Sequence, residues 1–163
     1  VSLLAHAHHV GDISLTAVDI LADSYKKLLN DYGYLAAMQG IDFIQSSAEG
    51  LTQTLNERIF DIVYCNNALD HTDSPADSLS QMSELVKCGG YLIISGNSRE
   101  GTHEKWDGIH MHDIFIENGF LYREGKDKCR TRLDENLSLV THNWDVDSSD
   151  LIEKMFIVFK KTD

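Results

Sequence analysis

The feature that most constrains the fold is a nearly unbroken apolar run from Phe60 to Cys65 (FDIVYC). A strand that is covered on both faces is apolar along its whole length, whereas a strand with one wet face alternates. A second run of this kind, Tyr91 to Ser95 (YLIIS), follows after a segment of helical character. The two runs predict neighbouring parallel strands in a sheet that helices cover on both sides.

The segment between these runs has a clear helix start. Ser74 supplies an N-cap and Pro75 occupies the first helical position, where the missing N–H costs nothing. Apolar side chains then recur at helical spacing and predict a buried stripe: Leu79, Met82, Leu85 and Val86. Gly89-Gly90 is expected to end this helix before the next strand.

The same alternation of strand and helix precedes residue 60. Ser14 to Ile20 and Ile41 to Gln45 are rich in strand-forming residues, and 22–32 has the apolar spacing of an amphipathic helix. Residues 2–9 are interpreted as the rear of an earlier helix. This order of elements predicts an α/β fold with a mostly parallel sheet.

The pattern changes after residue 100. Asn118-Gly119 lies between two strand-like segments, 113–117 and 120–123, and predicts a hairpin, because both residues accept the positive φ angles of a type I′ turn. A helix ending at Gly119 is the alternative. We expect this hairpin to be an insertion at about 108–124 within a single domain, residues 1–163.

Three further elements are expected towards the end of the chain. Residues 127–136 have the character of a short helix, and Leu137 to Trp144 and Met155 to Lys161 have that of two strands. The connection between these strands is too short for a crossover helix, so the pair is predicted to be antiparallel.

Composition narrows the classes of partner. The chain has 163 residues and a formal net charge of -12, which disfavours nucleic acid and anionic membranes as partners. No apolar run approaches the roughly 18 residues of a membrane span.

The three cysteines are far apart and odd in number, which fits a reducing cytoplasm rather than a disulfide framework. Because residue 1 is Val1, a processed, trimmed or incomplete chain is expected.

Two strand ends carry candidate binding residues. Asp19 ends the first visible strand, where dinucleotide-type folds place an acid that binds ribose hydroxyls, about 20 residues after a glycine-rich loop. Counting back from Asp19 places that loop just before Val1. Ser46-Ser47-Ala48-Glu49 follows the next strand and is predicted to lie beside the ligand crevice.

Several motifs in order resemble those of class I S-adenosylmethionine (SAM)-dependent methyltransferases, of the methyltransferase type 11 kind. Residues 60–71 (FDIVYCNNALDH), Pro75 and the turn Lys87-Cys88-Gly89-Gly90 resemble the family's FDxVxxxxxLxH, P and LKPGG motifs, and residues 17–25 (AVDILADSY) its second motif. The resemblance covers residues 1–100 well. It implies a three-layer Rossmann-like fold with an antiparallel closing strand, in which the first strand and the glycine-rich loop are missing from this chain.

The resemblance also implies roles for particular residues. SAM is the implied cofactor, and a small molecule or a glycan is the implied methyl acceptor. The implied cofactor-binding residues are Asp19, Ile20, Ser47, Ala48, Glu49, Asn66 and Asn67. Ser47 stands where an adenine-binding aspartate is common in the family. The Asn/Asp-Pro-Pro-aromatic motif of DNA-modifying members is absent, since Asn66 to Leu69 occupies that position.

Histidines are the candidate catalytic bases. His110 is expected in the substrate-side loop, and His71 near the cofactor crevice; we predict that His110 is the better candidate for proton transfer. An unperturbed histidine, with a pKa of about 6.5, accepts a proton at neutral pH. No metal site is expected, because neither His6, His8 and His9 nor the looser set His103, His110, His112 and Asp113 has standard zinc spacing.

Two other functions remain open at the level of the sequence. One is an NAD(P)-type Rossmann oxidoreductase of similar layout, which the LKPGG-like turn and the antiparallel pair disfavour. The other is a non-catalytic methyltransferase-like remnant, for which the missing loop is the argument. The sequence does not indicate the oligomeric state.

Overall fold

A computed structural model describes residues 11, 13–38, 40–135, 138–146 and 153–162. The chain divides into two compact units, residues 1–47 and residues 48–163, and each is described by itself. The helix predicted at 2–9, with His6, His8 and His9, lies outside the described residues.

The first unit is a strand–helix–strand arrangement. Strand β1 (Leu15–Asp19) leads into helix α1 (Ala22–Asp31), and a 3₁₀ turn (Leu35–Met38) precedes strand β2 (Ile41–Gln45). The strands are parallel, and Asp19 at the end of β1 lies opposite Gln45. The predicted strands and helix are confirmed. The apolar side chains of this amphipathic helix are largely exposed in the described part of the unit, with Leu28 51% accessible.

The second unit is built on a four-stranded sheet. Its strands are β3 (Phe60–Asn66), β4 (Val86–Asn97), β8 (Ser138–Val146) and β9 (Glu153–Lys160), in the order β3-β4-β9-β8. β3 and β4 are parallel, whereas β9 is antiparallel to both of its neighbours. The predicted antiparallel closing pair is therefore confirmed.

Helices cover part of this sheet. A 3₁₀ turn (Ala48–Gly50) and helix α2 (Leu51–Leu55) precede β3, and helix α3 (Pro75–Glu84) lies between β3 and β4. The Ser74 hydroxyl accepts a hydrogen bond from the Asp77 N–H, 3.4 Å away, so the predicted N-cap is confirmed. The predicted stripe of α3 is buried with the strand side chains, as the exposed fractions of 2% for Leu79 and 2% for Leu92 show.

The end of α3 differs from the prediction. The helix ends at Glu84, and Gly89-Gly90 lies inside β4 rather than at the end of the helix. Sheet hydrogen bonds explain this, because Gly89 N–H donates to Lys161 O at 2.9 Å and Gly90 O accepts from Lys161 N at 3.0 Å. A Cβ on Gly90 would lie 2.7 Å from Asp61 O, so this close approach of two strands requires glycine.

The burial of β3 is also less complete than its apolar sequence predicts. Cys65 is buried, but Ile62 is 57% exposed and Tyr64 is 44% exposed. β3 pairs only with β4 among the described strands, so it is an edge of its sheet. The continuous apolar run predicted that the side chains of β3 are covered on both faces. Because β3 is an edge strand of this unit, some of them remain accessible.

A three-stranded antiparallel sheet follows helix α4 (Glu100–His103). It consists of β5 (His112–Glu117), β6 (Phe120–Gly125) and β7 (Arg130–Arg132). Asn118 and Gly119 join the first two strands with φ angles of 51° and 83°, as a type I′ turn requires. The alternative of a helix ending at Gly119 and the helix predicted at 127–136 are wrong, because β7 pairs with β6 instead.

None of the described helices combines the length and the apolar character that crossing a membrane requires.

Candidate active site

The candidate site begins where β3 ends. A 3₁₀ turn (Leu69–His71) follows this strand, and Leu69 is buried with 2% of its surface exposed. Thr72 Oγ1 donates a hydrogen bond of 2.9 Å to Leu69 O, which closes the turn. In open α/β sheets the carboxyl ends of parallel strands border the ligand crevice, so this turn has the location expected of a functional site.

The turn places a carboxylate between two imidazoles. Asp70 is buried, and its Oδ2 lies 2.9 Å from His110 Nδ1 and 3.2 Å from His71 Nε2. The third side of the triangle, from His71 Nε2 to His110 Nδ1, is also 3.2 Å. We refer to Asp70, His71 and His110 as the Asp-His-His cluster.

Backbone contacts hold the two segments of the cluster together. Met111 N–H donates to Asp70 O at 3.2 Å, which ties the chain after His110 to the turn after β3. Both imidazoles remain partly accessible, with 26% of the His71 side chain and 21% of the His110 side chain exposed. The cluster is therefore fixed by a buried carboxylate but can be reached from solvent.

The cluster is strongly electrostatic. The hydrogen bond that the Asp70 carboxylate accepts from the imidazole raises the pKa of His110, with smaller contributions from the charges of Glu100 and Glu104. Burial, followed by the Asp70 charge, raises the pKa of the nearby Cys65 thiol to about 12. The Asp70 carboxylate contributes to both shifts and favours the protonated form of His110.

The two histidines predicted from the sequence are both in this cluster, whereas Asp70 was missed. The available signal was the carboxylate immediately before His71 in the Asp70-His71 pair. Sequence spacing could not show that a histidine forty positions later would return to the same carboxylate.

The looser set of metal-ligating residues considered from the sequence does not assemble. His103 is exposed, and burial lowers the pKa of His112 at the start of β5. The Asp113 carboxylate accepts hydrogen bonds from Thr102 N–H at 2.7 Å and from the Thr102 hydroxyl. Among the described residues, the group whose donor atoms could hold a metal ion is instead the Asp-His-His cluster.

The first unit carries three of the predicted cofactor residues. Asp19 is the last residue of β1, and its Oδ1 accepts a hydrogen bond of 2.7 Å from Leu21 N–H. Ile20 and Ser47 are exposed beside the ends of β1 and β2. Asp19 thus lies at the carboxyl end of a parallel strand, which is where dinucleotide-type folds place a ribose-binding acid.

The second unit carries the other four. Glu49 Oε1 accepts from Ser74 N–H at 3.2 Å, and Ala48 lies beside it in the same 3₁₀ turn. Asn66 ends β3 and its Oδ1 accepts from the Ser95 hydroxyl at 2.7 Å.

Asn67 adopts a left-handed backbone with a φ of 48°, and its Oδ1 accepts from Asn97 N–H at 3.0 Å. The two asparagines therefore brace the carboxyl ends of β3 and β4 just before the turn that carries the Asp-His-His cluster.

Comparison with known proteins places these features in a family. Residues 1–94, more than half of the chain, match the family described as "Methyltransferase domain". A ubiquinone biosynthesis O-methyltransferase from Vibrio atlanticus (strain LGP32) is 28% identical over 96 residues, which cover 51% of this chain and 40% of that protein. The chain thus spans less than half the length of this curated relative.

Solved structures of methyltransferases share the fold. The N-methyltransferase NodS from Bradyrhizobium japonicum WM9, in complex with S-adenosyl-L-homocysteine, is 14% identical, with a TM-score of 0.60 over 91% of this chain and 67% of that one. A putative sarcosine dimethylglycine methyltransferase from Galdieria sulphuraria is 11% identical, with a TM-score of 0.64 over 98% of this chain and 74% of that one. The predicted α/β Rossmann-like methyltransferase fold is confirmed.

Proposed function

Because the chain belongs to the methyltransferase domain family, we propose that it transfers a methyl group from SAM to a small-molecule or glycan acceptor. The observation that carries the proposal is the Asp-His-His cluster at the carboxyl end of β3, in a chain of this family. Such a cluster supplies what methyl transfer needs on the acceptor side, namely groups that increase the nucleophilicity of an oxygen or nitrogen atom.

The proposed reaction is a direct displacement. A lone pair of the acceptor forms a bond to the methyl carbon, the carbon–sulfur bond breaks, and sulfur keeps the electron pair, which leaves S-adenosylhomocysteine. The acceptor loses its proton either to an imidazole of the cluster or, where a bound cation lowers its pKa, to water. SAM already carries an activated methyl group, so the protein contributes mainly orientation, which is worth about 7–11 kcal/mol in favourable cases.

We propose His110 and His71 as the catalytic residues that act on the acceptor. One buried carboxylate restrains both imidazoles, and each keeps an accessible fraction through which an acceptor can reach it. Two chemical routes serve an acceptor at this position. An imidazole nitrogen can take the proton, or a cation bound by the cluster can lower the pKa of the acceptor.

We propose cofactor-binding residues in the first unit and, separately, in the second. Asp19 would bind the ribose hydroxyls, and its carboxylate is already oriented by the Leu21 N–H. The other proposed cofactor residues are Ile20, Ser47, Ala48, Glu49, Asn66 and Asn67. All of them lie at or just after the carboxyl ends of β1, β2 and β3.

An oxygen atom is the favoured acceptor atom. The support for oxygen is that the curated relative is named an O-methyltransferase. The class of acceptor molecule is narrowed by the net charge of -12, which disfavours polyanions such as nucleic acid. The family match also favours methyl transfer over the NAD(P)-dependent alternative.

A fluorescence titration tests the cofactor class directly. The full-length gene product should bind S-adenosylhomocysteine in preference to NADH. Saturable binding of NADH, with no response to S-adenosylhomocysteine, would reject the proposal and favour an oxidoreductase.

A further inference from the structure

The three contacts within the Asp-His-His cluster cannot all be ordinary hydrogen bonds when Asp70 is a carboxylate. The three atoms Asp70 Oδ2, His71 Nε2 and His110 Nδ1 are mutual neighbours at 2.9 Å, 3.2 Å and 3.2 Å. At each contact an atom either offers a hydrogen or offers a lone pair. Three mutually adjacent atoms with only two roles always include two with the same role. As long as Asp70 is an ionised carboxylate, which only accepts hydrogen bonds, no arrangement of protons on the two imidazoles makes all three contacts favourable.

The angles give the same result. The stated distances place the two nitrogens about 63° apart as seen from Asp70 Oδ2, whereas the lone pairs of a carboxylate oxygen diverge by about 120°. Two independent hydrogen bonds to this oxygen would spread the imidazoles further apart. The three atoms instead form a nearly equilateral triangle.

We propose that these three atoms bind a divalent transition-metal cation of the zinc class. A point equidistant from the three lies about 1.8 Å from each, so a cation slightly above their plane reaches the bond lengths of about 2.0–2.2 Å that zinc makes to nitrogen and oxygen. Each of the three atoms can then act as a donor to one positive charge, so no like pair remains. Two imidazoles and one carboxylate, with further positions open, form a recognised catalytic donor set.

The surroundings of the cluster suit a cation. The charges of Glu100 and Glu104 act on His110 in addition to that of Asp70, and carboxylates of this sign favour a nearby cation. The exposed fractions of His71 and His110 give an entry path from solvent.

The use of the cation rests on the proposed function. An acceptor hydroxyl bound at an open position would have a lowered pKa and would lose its proton to water. The resulting oxygen anion would then attack the methyl carbon. This deepens the proposed function, because it selects the cation route over an imidazole base and names an oxygen nucleophile as the acceptor class.

Cation binding can be tested without cofactor or acceptor. Zn²⁺ and Co²⁺ are titrated by calorimetry and by absorption spectroscopy into the 163-residue chain with His6, His8 and His9 replaced by alanine, which removes adventitious sites. We expect one cation per chain, an increase in melting temperature with Zn²⁺, and Co²⁺ bands that report nitrogen ligands.

Matched variants assign the site. His71→Ala, His110→Ala and the shape-conserving Asp70→Asn should each weaken Zn²⁺ binding by at least about tenfold, since even the outer partners of metal ligands are worth about 10–100-fold. The variant His103→Ala is the control, because His103 is exposed and lies outside the cluster. It should leave the affinity for Zn²⁺ unchanged. Circular dichroism of each variant separates lost binding from lost folding.

Two results would overturn the proposal. One is the absence of Zn²⁺ and Co²⁺ binding by the folded chain, and the other is binding that survives all three cluster variants. Both are independent of the cofactor titration with S-adenosylhomocysteine. A failed cation site therefore leaves methyl transfer standing with an imidazole base, and a failed cofactor titration leaves the cation site standing.

Discussion

Asp70 Oδ2 and His110 Nδ1 lie 2.9 Å apart although forty positions separate these residues in the chain. This contact joins the turn after β3 to the segment that leads into β5, and the Met111 N–H to Asp70 O hydrogen bond reinforces it. His71 Nε2 lies 3.2 Å from the same oxygen. The Asp70 carboxylate therefore brings two histidines that are far apart in the sequence into one site. The predictions for catalysis follow from this contact.

Removal of either imidazole should abolish most of the turnover. His110→Ala and His71→Ala should each lower kcat by about 10²-fold or more, while the affinity for S-adenosylhomocysteine stays nearly unchanged. The physical reason is that both groups act on the acceptor and not on the cofactor. The measurement is release of S-adenosylhomocysteine by the full-length gene product with a panel of hydroxylated small molecules and glycans.

His103→Ala is the control for that experiment, because His103 is exposed and does not belong to the cluster. If both cluster variants retained full turnover, catalysis would depend on orientation alone. If only one variant lost turnover, that histidine would be the catalytic residue and its partner merely structural.

Loss of the Asp19 carboxylate should weaken cofactor binding. Hydrogen bonds to a charged acceptor contribute about 1.5–3 kcal/mol each, so Asp19→Ala should reduce the affinity for S-adenosylhomocysteine at least tenfold. Asp23→Ala, which removes an exposed acid from the first turn of α1, is the matched control. Calorimetry on the full-length gene product measures both affinities, and equal values for the two variants would remove Asp19 from the proposed site.

The three thiols should differ in reactivity. Burial raises the pKa of Cys65 to about 12, so at neutral pH it should stay protonated and resist an aromatic disulfide reagent. Cys88 and Cys129 are exposed and should react quickly. Three equally fast thiols in the folded chain would contradict the buried position of Cys65, and Cys65→Ala identifies which signal belongs to it.

The same pKa makes stability depend on pH. An unfolded thiol has a pKa of about 8.5, so the unfolded chain loses this proton before the folded chain does. The contribution of Cys65 to the free energy of unfolding should therefore be complete below about pH 8.5 and should decline as the pH rises towards 12. Denaturant unfolding at several pH values should show a smaller decline for Cys65→Ala than for the parent chain.

The N-cap of α3 should contribute measurably to stability. Ser74→Ala removes the acceptor of the Asp77 N–H and should lower the free energy of unfolding by about 1 kcal/mol. Ser80→Ala, at an exposed position inside the same helix, should have a much smaller effect. Urea denaturation of both variants gives the comparison, and equal losses would mean that the cap contributes nothing specific.

Local patterns in the sequence were sufficient for most elements of the fold. The apolar runs at residues 60–65 and 91–95, the Ser74-Pro75 helix start and the Asn118-Gly119 turn each depend on neighbouring residues, and each predicted the observed element. They were reliable because capping, φ preference and side-chain periodicity act within a few residues.

Predictions failed where hydrogen bonds to another segment of the chain decided the outcome. Gly89-Gly90 was expected to end a helix, but hydrogen bonds to Lys161 place the pair inside β4. Residues 127–136 were expected to form a helix, yet pairing with β6 makes part of the segment a strand. In the first case Lys161, remote in sequence, supplies the hydrogen bonds. In the second case the preceding strand supplies them, so that sheet pairing outweighs the local helix preference in both.

The division is sharpest at the candidate site. The sequence by itself determined the family resemblance, the α/β alternation and the two histidines worth considering. Only the tertiary structure decided that His71 and His110 share the Asp70 carboxylate and that these three side chains lie within 3.2 Å of one another. Periodicity and spacing describe the neighbours of a residue along the chain, whereas a site is formed by side chains that folding brings together from distant segments.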